Sequence, residues 1–250
     1  MTRIILAAAA AFAMTACSPG VEQPGGDGTV TTNAAVADAP SITPVDGIPA
    51  AKWSKTVSVT PQGGYRMGNP DASVKLVEYG ARTCPACAAF TAQAARPLET
   101  YVAGGKVSYE FRDFAVHGVA DVVSAMVGRC GPPETFFPIL EATYRQQPKS
   151  LDDLNKAIAT QKDAIAKYTV KETLAFIGDK GHYVAIAESA GLPKGSAAAS
   201  LADEAKAQAL VDATNAAKDV KGTPSFQVNG RSVDSVSWPD VEKALKAAGA

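Results

Sequence analysis

The chain has 250 residues, 24 of them basic and 25 acidic, for a net charge of −1. That balance leaves no basic stripe for nucleic acid. Its four cysteines do not form an even set at wide spacings, which argues against a small scaffold stapled by disulfides.

The opening stretch MTRIILAAAAAFAMTAC carries one basic residue, Arg3, then the apolar run from Ile4 to Met14, then small Thr15 and Ala16 before Cys17. Residues 1–16 read as a secretion signal, because the apolar run is too short to span a bilayer. Met14-Thr15-Ala16-Cys17 resembles the bacterial lipobox, with Met where Leu is usual. The resemblance implies lipid attachment at Cys17 and a place in the bacterial cell envelope, lipid-anchored on the periplasmic side. Several acyl chains on one residue would hold the protein firmly to a membrane, whereas a single chain holds only marginally. Residues 17–51 follow as a linker. Between 18 and 50 there is no Lys, Arg or aromatic residue, while Pro19, Pro24, Pro40, Pro44, Pro49 and five glycines punctuate the run. Such a segment cannot bury enough apolar surface to offset the entropy of ordering it, and it is expected to be a disordered tether. As a flexible coil it would span roughly 30 Å. Residues 52–250 are long enough for one well-buried core, and a single domain is expected there.

Val74-Lys75-Leu76-Val77-Glu78-Tyr79 is a β-branched and aromatic run bounded by Asn69-Pro70-Asp71 and Gly80, and it reads as a strand. Next comes ARTCPACAAF, with Cys84 and Cys87 three residues apart. The Ala-rich run from Pro85 to about Val102 favours a helix, with Thr83 as its cap, Pro85 in the first turn and a possible kink at Pro97. Cys84 is therefore expected at a helix N-terminus, where orphan N–H groups and the helix dipole favour an anion. The pair can be read as a redox couple, a metal clasp or a staple. Closing so short a loop removes little entropy from the unfolded chain, so a staple would stabilise little.

Val107 to Phe114 alternates as a second strand, completing a strand-helix-strand unit that implies a right-handed parallel crossover. Residues 119–219 read mainly helical, through Val122–Val127, Phe136–Gln146, Leu151–Ala166 and an Ala-rich run after Leu201. Two short strands, Pro224–Val228 and Arg231–Val233, flank Asn229-Gly230, a hairpin signal. A last helix is expected from Trp238, capped by Ser237.

Cys84-Pro85-Ala86-Cys87 after a strand, Gly222-Thr223-Pro224 before a hairpin, and a helical block between them resemble the thioredoxin fold of the DsbA-like thiol:disulfide oxidoreductases. Residues 68–90, GNPDASVKLVEYGARTCPACAAF, are particularly similar to exported members of that family. The resemblance implies an α/β thioredoxin fold over 52–250 with a helical insertion at about 117–205. It also implies a surface-exposed nucleophile at Cys84, a resolving partner at Cys87, and a substrate-binding cis-proline loop at Thr223 and Pro224. Glu78 shares a strand face with Val74 and Leu76 and lies either at a solvated edge or near the sulfurs. The family often carries a buried acid there, which would take and return the proton of Cys87.

The partners implied are cysteine-containing protein substrates, a redox partner protein that resets the pair, and the membrane through the lipid anchor. No cofactor and no nucleic-acid partner are expected. Ala86 departs from members with His in this dipeptide, which implies a milder oxidant and leaves oxidase against reductase open. Family isomerases carry an N-terminal dimerisation module that residues 18–50 are too polar and irregular to build, which lowers an isomerase without excluding a reductase; a monomer is expected. Outside the class, two soft thiolates could hold Cu(I) in a thioredoxin-like carrier. Closed zinc needs four ligands, and only Cys130, His117 and His182 stand out as additions to the pair, so no metal is expected. Cys130 reads as a packed small hydrophobe, and both histidines read as solvated surface.

Overall fold

The computed structural model describes residues 50–250. The expected signal at 1–16, Cys17, and the linker up to residue 49 lie outside the described residues. A short helix, α1 (Ala50–Trp53), opens the described chain two residues inside the expected linker.

Six strands build one sheet: β1 (Val57–Val59), β2 (Tyr65–Gly68), β3 (Val74–Gly80), β4 (Val107–Asp113), β5 (Ser225–Val228) and β6 (Arg231–Val233). Their order across the sheet is β1-β2-β4-β3-β5-β6. Only β3 and β4 are parallel, in register from Val74 opposite Val107 to Gly80 opposite Asp113, and the helix α2 (Pro85–Ala103) makes the crossover. The other neighbours pair antiparallel. Asn229 and Gly230 both have positive φ, 49° and 78°, as a two-residue hairpin between β5 and β6 requires. The outer strands β1 and β2 were not foreseen, since three or four residues between Gly- and Pro-containing turns carry no readable alternation.

Strand β3 is central, and its alternation is clean: Val74, Leu76, Glu78 and Gly80 are buried while Lys75 is exposed. On that face lies α2, burying Cys87, Phe90, Ala94, Leu98, Tyr101 and Val102 along one helical stripe. The helix continues through Pro97, flanked by the deeply buried Ala94 and Leu98. Burial of each large side chain in this stripe contributes roughly 1.5–3 kcal/mol, comparable to the helix-breaking cost of one proline. The C-terminal helix closes the same core with Trp238, Val241 and Leu245, and Ser237 caps it by accepting from the Asp240 amide at 3.4 Å.

Between β4 and β5 stand seven further helices: α3 (Val119–Gly128), α4 (Phe136–Thr160), α5 (Lys162–Ile165), α6 (Val170–Lys180), α7 (Tyr183–Ser189), α8 (Ser196–Ser200) and α9 (Glu204–Ala216); the C-terminal helix is α10 (Trp238–Ala247). The sequence suggested two helices where α4 runs unbroken past Pro148. Its buried face, with Thr143, Tyr144, Gln147, Ser150 and Leu154, carries on across that point, and the proline ring sits outside. Helix α4 serves both cores. Phe136, Phe137, Leu140 and Tyr144 join the sheet core, whereas Ile139 and Leu154 join a second core with α3, α6, α7 and α9.

Candidate functional site

The sheet delivers the chain from Gly80, at the end of β3, directly into the loop 81–84 and then α2. Cys84 is the N-cap residue of α2 and Pro85 occupies the first turn, where a missing N–H costs nothing. Thr83 does not cap the helix, contrary to the sequence expectation. Its hydroxyl and its amide both donate to Asp121 Oδ1 instead, at 2.7 and 2.9 Å.

Cys84 is not surface-exposed as the resemblance implied: it is only 5% exposed. The Thr223–Pro224 peptide is cis and crosses in front of it, and the Cys84 thiol donates to the Thr223 carbonyl at 3.3 Å. Pro224 itself is buried, while Pro85 and Ala86 face solvent. Cys87, one turn into the helix, is fully buried, and both cysteines are free thiols. Burial pushes the Cys87 thiol far up, and the neighbouring Glu78 carboxyl pushes the same way, against a hydrogen bond to the Ala81 backbone.

Glu78 is fully buried beneath the pair. The Tyr109 hydroxyl donates to its Oε2 at 2.7 Å, while Oε1 has no partner. Burial raises the carboxyl to about 8, and the Tyr109 hydrogen bond opposes that rise. Of the two positions left open by the sequence, solvated edge or near the sulfurs, the structure places Glu78 in the second. Thus Glu78, Cys84, Cys87, Thr223 and Pro224 come together at one end of the sheet.

Several polar residues that sequence reasoning missed hold the loop between β3 and α2. Gln147 donates from Nε2 to the carbonyls of Arg82 and Cys84, both at 3.0 Å, and the Tyr144 hydroxyl donates to the Ala81 carbonyl at 3.3 Å. Arg82 is buried, pairs with Asp113 through Nε at 2.7 Å and lies 4.9 Å over the Phe136 ring. That ring stacks on Tyr65 at 3.9 Å, and the Arg129 guanidinium lies 5.4 Å from the Tyr65 ring centroid while reaching Asp113 Oδ2 at 3.3 Å. Two stacked rings and two arginines that share one carboxylate therefore tie the loop to the sheet and to the end of α3.

His117 is exposed, as expected. Its amide donates to Asp121 Oδ2 at 2.8 Å and its Nδ1 lies 3.2 Å from the same oxygen. His182 sits 2.8 Å from Asp153, away from the paired thiols. Cys130 is half-buried and packs against the second core, and burial raises its thiol. Among the described residues no group of three or more His, Cys, Asp or Glu side chains is placed to hold a metal ion.

A central strand running into a helix that starts at one of two paired thiols, opposite a cis-proline, defines the thioredoxin class of fold. A family profile described as thioredoxin matches residues 60–247. A Rickettsia bellii chain described as a protein-disulfide oxidoreductase is 26% identical over 206 residues, covering 80% of this chain and 70% of that one. Among solved structures, the protein-disulfide isomerase from Novosphingobium aromaticivorans superposes with a TM-score of 0.66 at 26% identity, covering 74% of this chain and 97% of that one. Wolbachia pipientis α-DsbA1 superposes with a TM-score of 0.58 over 76% of this chain and 92% of that one; at 17% identity this likeness is one of fold. The chain belongs to the thioredoxin family and is a thiol:disulfide oxidoreductase.

Proposed function

We propose that the chain oxidises cysteine-containing proteins by passing them the disulfide of Cys84 and Cys87, and that a redox partner protein restores it. The observation that carries this reading is the Cys84 thiol at the N-cap of α2, 3.3 Å from the Thr223 carbonyl, with Cys87 buried behind it. The thiol-to-carbonyl bond exists only in the dithiol form, and each interaction confined to that form favours giving the disulfide away.

In the forward direction a substrate thiolate attacks Cys84 Sγ, the Cys84–Cys87 bond breaks, and Cys87 leaves with the electron pair. The Glu78 carboxyl returns a proton to it. A second substrate thiolate attacks the substrate sulfur of the mixed disulfide and Cys84 leaves as a thiolate, so that two substrate thiols become one disulfide and the pair is reduced. The backbone at Thr223 and Pro224 lines the approach and offers hydrogen-bonding groups to an extended substrate segment. The signal-like start and the lipobox-like Met14 to Cys17 support a site of action in the cell envelope, lipid-anchored on the periplasmic side, with 52–250 as the working domain.

The test is turnover of a reduced, unfolded substrate together with the reduction potential of the pair in glutathione buffers. Cys84→Ser is expected to abolish turnover, and Cys87→Ser to accumulate mixed disulfides through Cys84. An oxidase is expected to lie well above the thioredoxin potential of about −270 mV. A value near that of thioredoxin would make the protein a reductase, and full activity of Cys84→Ser would remove the pair from the chemistry.

A further inference from the structure

We propose that Tyr109 is a positioning residue that makes Glu78 a one-sided proton carrier, tying Oε2 and leaving Oε1 as the atom that exchanges a proton with Cys87. The proposal rests on the reading of Glu78 as the proton partner of Cys87 and goes one residue further.

Tyr109 stands opposite Leu76 in the parallel β3–β4 register. Glu78 is two residues on, on the same face, within diagonal reach of a long side chain. The Tyr109 ring is fixed against Phe137, with centroids 5.4 Å apart, so its hydroxyl meets Glu78 Oε2 at 2.7 Å from a set direction. Oε1 lies toward the other end: a Cβ built on Gly80 would be 3.1 Å from it. Gly80 is the residue from which the chain enters the loop 81–84, and the Cys87 thiol is itself hydrogen-bonded to the Ala81 backbone. The orphaned oxygen and the buried thiol thus approach the same short segment.

The ionisable groups around Tyr109 are Glu78 from β3, Cys87 from α2 and Glu141 from α4, while Tyr144 from α4 feels Cys87, Glu78, Tyr109 and Arg82. The buried neighbours in contact with the carboxyl carry no permanent charge. A cationic partner would hold Glu78 ionised at every working pH, and no partner would leave it protonated; a phenol gives a partial correction, which leaves the carboxyl near 8. During resetting, Cys87 passes its proton to Oε1, and its sulfur attacks Cys84 in a Cys84–partner mixed disulfide. The Cys84–Cys87 bond forms as the partner leaves as a thiolate. In the forward reaction the same oxygen gives the proton back.

The experiment uses the full chain with Cys84 loaded as a mixed disulfide with glutathione, and follows glutathione release as Cys87 closes the ring, across pH. The wild-type closure rate is expected to inflect near 8, where the carboxyl titrates, and Glu78→Gln is expected to lose that inflection. Tyr109→Phe is expected to move it to higher pH by about one unit and to slow closure at pH 7 roughly tenfold. 3-Fluorotyrosine at position 109, a stronger donor, is expected to move it the opposite way and keeps the test valid if the Phe variant folds poorly. An inflection unmoved in both position-109 variants but lost in Glu78→Gln overturns the role of Tyr109 and leaves that of Glu78 standing. An inflection retained in Glu78→Gln overturns both.

Discussion

Replacing Glu78 by Gln should stabilise the reduced protein, and by an amount that grows with pH. The carboxyl sits near 8 in the fold against an ordinary value of 4.5, with burial as the main cause. Below about pH 4.5 it is protonated folded and unfolded, so the native state bears no ionisation penalty. As pH rises toward 8, the unfolded chain releases the proton while the folded chain keeps it, so stability falls by about 1.4 kcal/mol per pH unit and levels off above 8. The full loss is roughly 4–5 kcal/mol, and about 3 kcal/mol of it is present at pH 7. Gln has the shape of the protonated acid and cannot ionise. Its stability relative to wild type should therefore climb across this window on top of a constant offset from its buried amide. Cys87 does not interfere, since burial keeps its thiol protonated throughout. The assay is urea unfolding of both proteins under reductant at pH 4.5, 6, 7 and 8. A difference that stays constant across the series would refute the burial argument, because it would mean that Glu78 titrates alike in both states.

Two further changes probe the loop that carries Cys84. Gln147→Ala removes both donors to the Arg82 and Cys84 carbonyls in a buried setting; urea unfolding should show a loss of about 2–4 kcal/mol, and a loss under 1 kcal/mol would mean that water replaces the amide. Gly128→Ala would put a Cβ 2.6 Å from the Arg82 Cζ and 2.7 Å from its Nη2. Thermal unfolding should reveal a loss of about 1–3 kcal/mol as Arg82 is forced from Asp113 and Phe136, and an unchanged midpoint would show that the guanidinium is not locked.

What could be read in advance follows the range of the forces involved. Strand β3, helix α2 and strand β4 were legible because alternation and Ala content act within a few residues, and the Asn229-Gly230 hairpin because it needs positive φ at both positions. Strands β1 and β2 were not, since β2 is defined by pairing with β4, far along the chain, and β1 by pairing with β2. At the site, Cys84, Cys87 and Glu78 share one stretch of sequence and could be proposed together. Tyr109 required the β3–β4 register. Asp121 stands in the first turn of α3, and nothing local says that its carboxylate collects donors from both Thr83 and His117. An arginine is mostly exposed and nothing near Arg82 in the chain marks it otherwise, yet it is buried between Asp113 and Phe136.

The placement of Cys84 is therefore a property of the helical block as much as of the sheet. Each residue from Ala81 to Cys84 is held from outside the strand-helix unit: Ala81 by Tyr144, Arg82 by Asp113 and Gln147, Thr83 by Asp121, Cys84 by Gln147 and Thr223. Ala86 is exposed and brings no polar group to the sulfurs, so the dipeptide between the two cysteines has little with which to tune them. Tuning is left to buried and backbone groups, namely the Glu78–Tyr109 pair, the Thr223 carbonyl and the start of α2. These groups keep their positions only while α3 and α4 remain packed on the loop. Substitutions in the second core, remote from either thiol, should therefore shift the potential of the pair whenever they move α4, whereas exposed changes at Ala86 that add no charge or hydrogen bond should shift it little.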